Sequence, residues 1–341
     1  MSQNKKLDTD KLIYLASLSL LLSSIEYLIP KPVPFLRLGL GNLPILLALT
    51  LLNKKDYFLL ALLKAICQGI VGGTLISPFF ILSLAGTLAS SLSMYLFHHL
   101  LKQRVTLFSI SIIGALCSNT VQLLLAAVLI YGKSIFIAAP LLLGIGVVAS
   151  AILGLLAEAL KEKSRFYATI EQGNLPAIET HKESKETHKI TTKQKIFTVI
   201  SFAGIITSFL LSDLIALTIG FIILLILQKL SGRKVLIGFY LAMILSMVFL
   251  CLFEPEGQVI YVIGIVKLTK GALILSLTRG MRILMIMASS QILSATRIIH
   301  LPLLGSVFSL SAKTINSFSQ TKGNLLTRLD FAILGEIEEE K

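Results

Sequence analysis

One lysine, one arginine and four carboxamides stand inside otherwise apolar stretches of this sequence, and each is costly there unless paired or put to use. Lys64 and Gln68 are four apart, so they share one face of a helix; Asn119 and Gln122 share a face of another. Arg37, Asn42 and Pro44 lie in Pro34-Phe-Leu-Arg-Leu-Gly-Leu-Gly-Asn-Leu-Pro44. Gly72-Gly-Thr-Leu-Ile-Ser-Pro78 is a helix break, and its freed backbone groups need protein or a wet cavity around them. If these faces meet, Arg37, Asn42, Lys64, Gln68, Asn119 and Gln122 form a pocket of cationic and amide donors in an apolar wall. Such a pocket suits a carboxylate, a phosphate or a carbonyl-bearing ring. The competing reading is structural. The amides would then be interhelical glue, worth about 0.6 kcal/mol per contact, with Arg37 and Lys64 snorkelling to the interface. Glu26 and Glu158, near the ends of their apolar stretches, read as interfacial residues.

Other chemistries find little support. Gly132-Lys133-Ser134 has the ending of a phosphate loop, but Ala127 stands where the pattern needs an earlier glycine, and the context is an apolar span. The aspartates (Asp8, Asp10, Asp56, Asp213, Asp330) are too scattered to hold magnesium on a diphosphate. The histidines (His98, His99, His181, His188, His300) form no HExxH. Cys67, Cys117 and Cys251 sit singly in apolar runs, without metal-ligand spacing or a disulfide framework. No catalytic centre, metal or cofactor is expected.

The elements that must position the candidate pocket are membrane helices. Of 341 residues, 55% are hydrophobic and 14% charged, against about 25% charged in soluble domains. Mean hydropathy is +0.86. The apolar residues fall in runs near the roughly 20 residues that a spanning helix needs. Six runs precede residue 161, at about 11–29, 36–52, 57–76, 79–101, 105–131 and 135–160. The first imitates a signal peptide but carries Glu26 and ends at Pro30-Lys31-Pro32 without a cleavage site, so it reads as an uncleaved helix. Lys5, Lys6, Lys11, Lys54, Lys55, Lys102 and Arg104 fall on one side, and only Lys31, Arg37 and Lys133 on the other. The richer side belongs in the cytoplasm, with the N-terminus. That rule also accounts for the net charge of +13 without nucleic acid. Residues 161–195 mix basic residues and glutamates with no apolar period, as a solvated linker does. Spans near 196–211, 214–228, 235–253 and 269–296 follow, with Glu254-Pro255-Glu256-Gly257 as an external turn; Arg279 and Arg282 share a face of the last. Residues 301–341 read as amphipathic and cytoplasmic. Ala16, Ser19 and Ser23 make a small-residue stripe that either docks a partner helix or packs internally.

Several of these stretches carry a resemblance. Pro34-Phe-Leu-Arg-Leu-Gly-Leu-Gly-Asn42, Ser77-Pro-Phe-Phe-Ile-Leu-Ser-Leu-Ala-Gly86 and Ser111-Ile-Ile-Gly-Ala-Leu-Cys-Ser-Asn-Thr-Val-Gln122 resemble the Gx transporter family, also labelled heptaprenyl diphosphate synthase component I. In that family the last motif usually has His where Ser118 stands. The family is similar to the six-helix substrate-binding (S) components of energy-coupling-factor (ECF) importers. Residues 196–323 resemble, in shortened form, the coupling (T) component of those importers, through Ser212-Asp-Leu214, the 254–257 turn and Lys270 to Ser294. T components engage their ATPases through short Ala-Arg-small motifs. Here Ala312-Lys313-Thr314 and Thr321-Lys322-Gly323 come nearest, which makes Lys313 and Lys322 the expected coupling residues. The reading is an all-α membrane protein of about ten spans, with an S-like module (1–160), a charged linker (161–195) and a T-like module (196–341). The resemblance implies capture and movement of a small vitamin-like or isoprenoid-related molecule across the bacterial inner membrane, with ECF-type ATPases as partners. The alternative is a membrane subunit in prenyl diphosphate or quinone synthesis, or in flavin-linked electron transfer.

Overall fold

The computed structural model describes residues 2–28, 39–101, 104–176, 191–235, 237–253, 255, 257–263, 266–296, 302–321 and 323–334. These residues are almost wholly helical. Three stretches, Pro78–Leu101, Leu107–Lys163 and Lys270–Ala295, are long and apolar enough to cross a membrane by length and composition. Large hydrophobic side chains such as Val128, Leu141, Leu210 and Ile215 face outward, as a lipid-facing surface requires. The chain is a helical membrane protein.

Helix α1 (Ser2–Leu28) organises the first half. Its residues from Leu12 to Ser23 are buried without interruption, including Ser17 and Ser19. A helix apolar all round has no solvent face and must be enclosed. One side is enclosed by a 3-10 turn (Leu40–Asn42), α2 (Leu43–Leu51) and α3 (Lys54–Gly72). Next in the chain come α4 (Pro78–Leu101), α5 (Leu107–Ala126) and α6 (Ile135–Lys163), each packed on its predecessor. Gly154 lets α6 lie directly on the backbone of α5, since a Cβ there would stand 2.5 Å from the Phe108 Cα. Small residues allow such approaches where lipid gives no hydrophobic drive for helices to associate.

Two expectations change here. The predicted span at 36–52 is a buried helix of nine residues, about 14 Å long against a hydrocarbon core of roughly 30 Å. Pro44 in its first turn and the preceding 3-10 turn fix its start, so its apolar run is a core insert and not a full span. The linker predicted at 161–195 is also not solvated throughout. Helix α6 runs to Lys163, and α7 (Arg165–Gln172) buries Phe166, Tyr167 and Ile170. Three apolar residues on one helix face were hidden among the charges around them. Residues 177–190 lie outside the described residues.

In the second half, α8 (Thr192–Leu210), α9 (Leu214–Leu230) and α10 (Ile237–Cys251) pack around α11 (Lys270–Ala295). Arg282 of α11 donates to the carbonyls of Ser208 (2.9 Å) and Leu211 (3.0 Å), which satisfies the open end of α8. Arg279, three residues earlier, is exposed. Between α10 and α11 stands an unexpected antiparallel hairpin, β1 (Val259–Ile263) and β2 (Val266–Thr269). Its Val-Ile-Tyr-Val-Ile run has strand-forming residue types. Of the turn read before it, Glu254 and Glu256 lie outside the described residues.

The last two helices, α12 (Pro302–Gln320) and α13 (Leu325–Leu334), return to the first half. Leu304, Val307, Leu329 and Ile333 join one core with α1 and α7. Ser17 Oγ donates to the Val307 carbonyl at 3.3 Å. Asp330 of α13 accepts hydrogen bonds from Ser164 Oγ and from the backbone N–H groups of Arg165 and Phe166, the last two at 3.1 Å. It thereby caps α7 from a distance of more than 160 residues in sequence. The segment predicted as one module from 196 to 341 is therefore divided, with its last helices built into the first module. Replacing Asp330 with Ala should cost about 1–2 kcal/mol, as loss of a helix cap does. The readouts are thermal unfolding in detergent and limited trypsin digestion, where cleavage at Lys163 and Arg165 should accelerate; an unchanged midpoint and cleavage rate would refute the tie.

Candidate functional site: a polar cavity among the first six helices

The site begins with the turn Leu40-Gly41-Asn42. Gly39, at φ 85°, supplies the left-handed residue that opens it. Three side chains from two helices hold it. Glu26 of α1 accepts the Leu40 N–H at 2.9 Å. Ser19, also of α1, donates to the Gly41 carbonyl at 2.6 Å. Lys64 of α3 donates to Asn42 Oδ1 at 2.9 Å and to Thr87 Oγ1 of α4 at 3.2 Å. Gly41 is pressed onto α1 so closely that a Cβ would overlap Ser23 Oγ.

From the opposite side α5 contributes its carboxamides. Gln122 Nε2 donates to Ser118 Oγ at 2.8 Å. Both amides lie over glycine backbone. A Cβ on Gly86 of α4 would overlap the Gln122 amide, and one on Gly146 of α6 would overlap the Asn119 amide. These two glycines are notches that admit polar side chains between helices.

The result is one cavity of about 30 Å³, lined by Asn42, Lys64, Gln68, Asn119 and Gln122 together with Glu26, Thr87 and Ser118. All five described residues of the candidate pocket thus meet at one place; Arg37 lies outside the described residues. Glu26 was not singled out from sequence. It sits near the end of an apolar run, where a carboxylate reads as interfacial, yet it is 3% exposed, and Lys64 is 6% exposed. Among the described residues the wall therefore carries both a basic and an acidic side chain. A volume near 30 Å³ is about one water's share of liquid, far below the roughly 300–1,000 Å³ of ligand pockets. At this volume the site has no room for a molecule of that size.

The break at 72–78 has a different neighbour from the one expected. It does not line the cavity. It is the joint with the second half. Arg233, between α9 and α10, donates to the carbonyls of Ile70 (3.0 Å) and Val71 (3.1 Å), and Ser290 of α11 accepts the Ile76 N–H at 3.1 Å. Gly73, at φ 66°, leaves room for Gln291 and Arg233, whose atoms would stand 3.1 and 3.2 Å from a Cβ. The freed backbone groups are satisfied by protein, and the far end of the helix bearing Lys64 and Gln68 is held by the second half.

The remaining candidate residues are placed as follows. Ala16, Ser19 and Ser23 are all buried. Ser19 and Ser23 face the chain's own Gly41 turn, and the stripe is not open to a partner helix. Lys313 is exposed on α12, and Lys322 lies outside the described residues. Gly132–Ser134 is a 3-10 turn between α5 and α6, with Lys133 exposed.

Fold and site define a multi-helix membrane protein that encloses a polar cavity within its first six helices. Residues 15–160 match the family described as heptaprenyl diphosphate synthase component I. That stretch contains every residue lining the cavity, from Glu26 to Gly146. Neither a curated protein nor a solved structure matches the chain.

Two glycines on α6 separate cavity architecture from helix propensity. Gly144→Ala adds a methyl where nothing lies within 4 Å, and should leave stability unchanged or raise it by up to about 1 kcal/mol. Gly146→Ala must displace the Asn119 amide and should cost about 1–3 kcal/mol. Equal thermal midpoints for the two variants in detergent would contradict this geometry.

Proposed function

We propose that the protein is a membrane transport component of an ECF-like system. In this reading the first six helices bind a small, vitamin-like or isoprenoid-related molecule in the Lys64 cavity, for movement across a bacterial inner membrane. One observation carries it: the costly polar residues of four separate helices and one turn converge on a single space. Interhelical glue needs only pairs, whereas here carboxamides, hydroxyls and both charges face one void. Glu26 and Lys64 together favour a neutral or zwitterionic polar ligand over a simple anion, because a lone added charge would be left uncompensated in a dry site. The exposed Lys313 on α12 supports a role in contacting ATPase subunits, and the basic loops support cytoplasmic termini.

The family description favours a second reading, a membrane subunit serving prenyl diphosphate synthesis; quinone synthesis and flavin-linked electron transfer belong to the same non-transport alternative. The scattered aspartates argue for such a subunit acting without diphosphate chemistry of its own.

Native mass spectrometry of the full chain, purified gently in detergent, tests the first reading. Wild-type protein should retain a small-molecule mass that Lys64→Met loses. The variant should also be less stable by about 1–3 kcal/mol, since Asn42 and Thr87 lose their donor. Gly144→Ala should retain the mass. An identical mass on wild type and Lys64→Met, or none on either, would overturn the proposal.

A further inference from the structure

The hairpin of β1 and β2 presents apolar side chains on both of its faces. Val259, Ile260, Tyr261 and Val262 are each between 52% and 63% exposed. Tyr261 and Val262 pair with Leu268 and Lys267, and successive residues of a strand leave opposite faces. An antiparallel strand with one wet face alternates apolar and polar residues; Val-Ile-Tyr-Val-Ile does not. A lone two-stranded hairpin is also marginal at best in water. Its base is nevertheless well held. The Lys270 N–H donates to the Gln258 carbonyl at 2.9 Å, and Thr269, which ends β2 and precedes α11, is buried. The hairpin is thus directly continuous with α11, a helix long and apolar enough to cross a membrane.

The surroundings of the base indicate what covers it. Ile237, Leu241, Leu245 and Phe249 form an outward stripe at four-residue spacing along α10, and Ile274 of α11 is exposed as well. On a membrane helix such an outward apolar stripe meets acyl chains. Ile274 lies one turn, about 6 Å, from Lys270, so the acyl region reaches within a turn of the hairpin. Headgroups add roughly 5–7 Å on each side of the hydrocarbon, the difference between a core of about 30 Å and a bilayer of about 40–45 Å. The base of the hairpin therefore stands in that layer. The same layer suits its backbone. Among the described residues the sheet has two strands, so each strand has an outer edge of N–H and C=O groups without a ladder partner. Hydrocarbon does not tolerate an open sheet edge, whereas water and headgroups at the boundary satisfy it. Tyrosine is enriched at this boundary, and Tyr261 is the most exposed of the four residues. A second copy pairing along β1 would satisfy one edge but leave both apolar faces uncovered.

We infer that the hairpin is a membrane-interface anchor, with Val259–Val262 seated in the headgroup–acyl boundary of the leaflet at the start of α11 and phospholipid as the partner of this surface. The anchor fixes one end of the helix that holds α8 through Arg282 and the first half through Ser290. It does not depend on whether the Lys64 cavity takes a ligand.

The chain contains no tryptophan, so a single introduced indole reports alone. Ile260→Trp and, separately, Tyr261→Trp in the full chain are reconstituted into phosphatidylcholine vesicles brominated at shallow or at deep acyl positions. Leu245→Trp, on the outward stripe of α10, is the acyl reference, and Gln172→Trp, at the exposed end of α7, the aqueous one. Shallow bromine should quench both hairpin indoles by about half, and more strongly than deep bromine, as for a segment seated about 5–10 Å into the boundary. Leu245→Trp should be quenched by acyl bromine and Gln172→Trp by neither. Hairpin indoles no more quenched than Gln172→Trp, while Leu245→Trp responds, would overturn the anchor, since the hairpin would then lie in water or under protein. Quenching that is strongest with deep bromine would overturn the boundary placement. Quenching that appears only as protein is diluted in lipid would make a second copy the cover and refute the proposal.

Discussion

An ammonium group at membrane depth has to be surrounded by acceptors, and the first half of this protein is arranged around that demand. Lys64 finds Asn42 and Thr87. To present Asn42, the chain must turn at Leu40–Asn42, and that turn is held against α1 by Glu26 and Ser19. The close seat on α1 in turn admits only glycine at position 41. A single buried charge thereby fixes the spacing of α1, α3 and α4 and the entry point of α2. The Glu26 side chain lies on the same cavity wall. In a bilayer, where apolar contact with lipid is as good as contact with another helix, such polar constraints define which neighbours meet.

Much of this was legible in the residues. Lys64 with Gln68 and Asn119 with Gln122 announced two polar helix faces by spacing alone, and both open onto one space. The helices at 79–101, 135–160 and 269–296 follow from their apolar runs. What stayed hidden depended on partners distant in sequence. Glu26 looks interfacial until the 40–42 turn is folded over it. Residues 36–52 have the composition of a span, but Pro44 and a glycine-set turn shorten the helix. The face of α7 is three residues long and surrounded by charge, and beyond its local cap Ser164 it depends on Asp330, far along the chain. The glycine break at 72–78 announced exposed backbone, but not that Arg233 and Ser290 would satisfy it.

Glycine has two separate duties in this architecture. At Gly39 and Gly73 it permits a left-handed backbone that ends or begins a helix. At Gly86, Gly146 and Gly154 it removes volume, so that amides or a neighbouring backbone can enter the helix–helix seam. The second duty cannot be recognised from sequence spacing, because it depends on which side chain arrives from the other helix.

The contact between Arg233 and the carbonyls of Ile70 and Val71 bears on why the two halves share one polypeptide. An arginine fork supplied by a separate subunit would be present only when that subunit was bound. Supplied by the same chain, it is always available at high effective concentration. The last turn of α3 is thereby kept from fraying, and with it the axial position of Gln68, within one turn, and of Lys64, about two turns away. Covalent fusion here substitutes for assembly: residues from the far side of the linker reinforce the glycine cap that ends the helix carrying the ammonium.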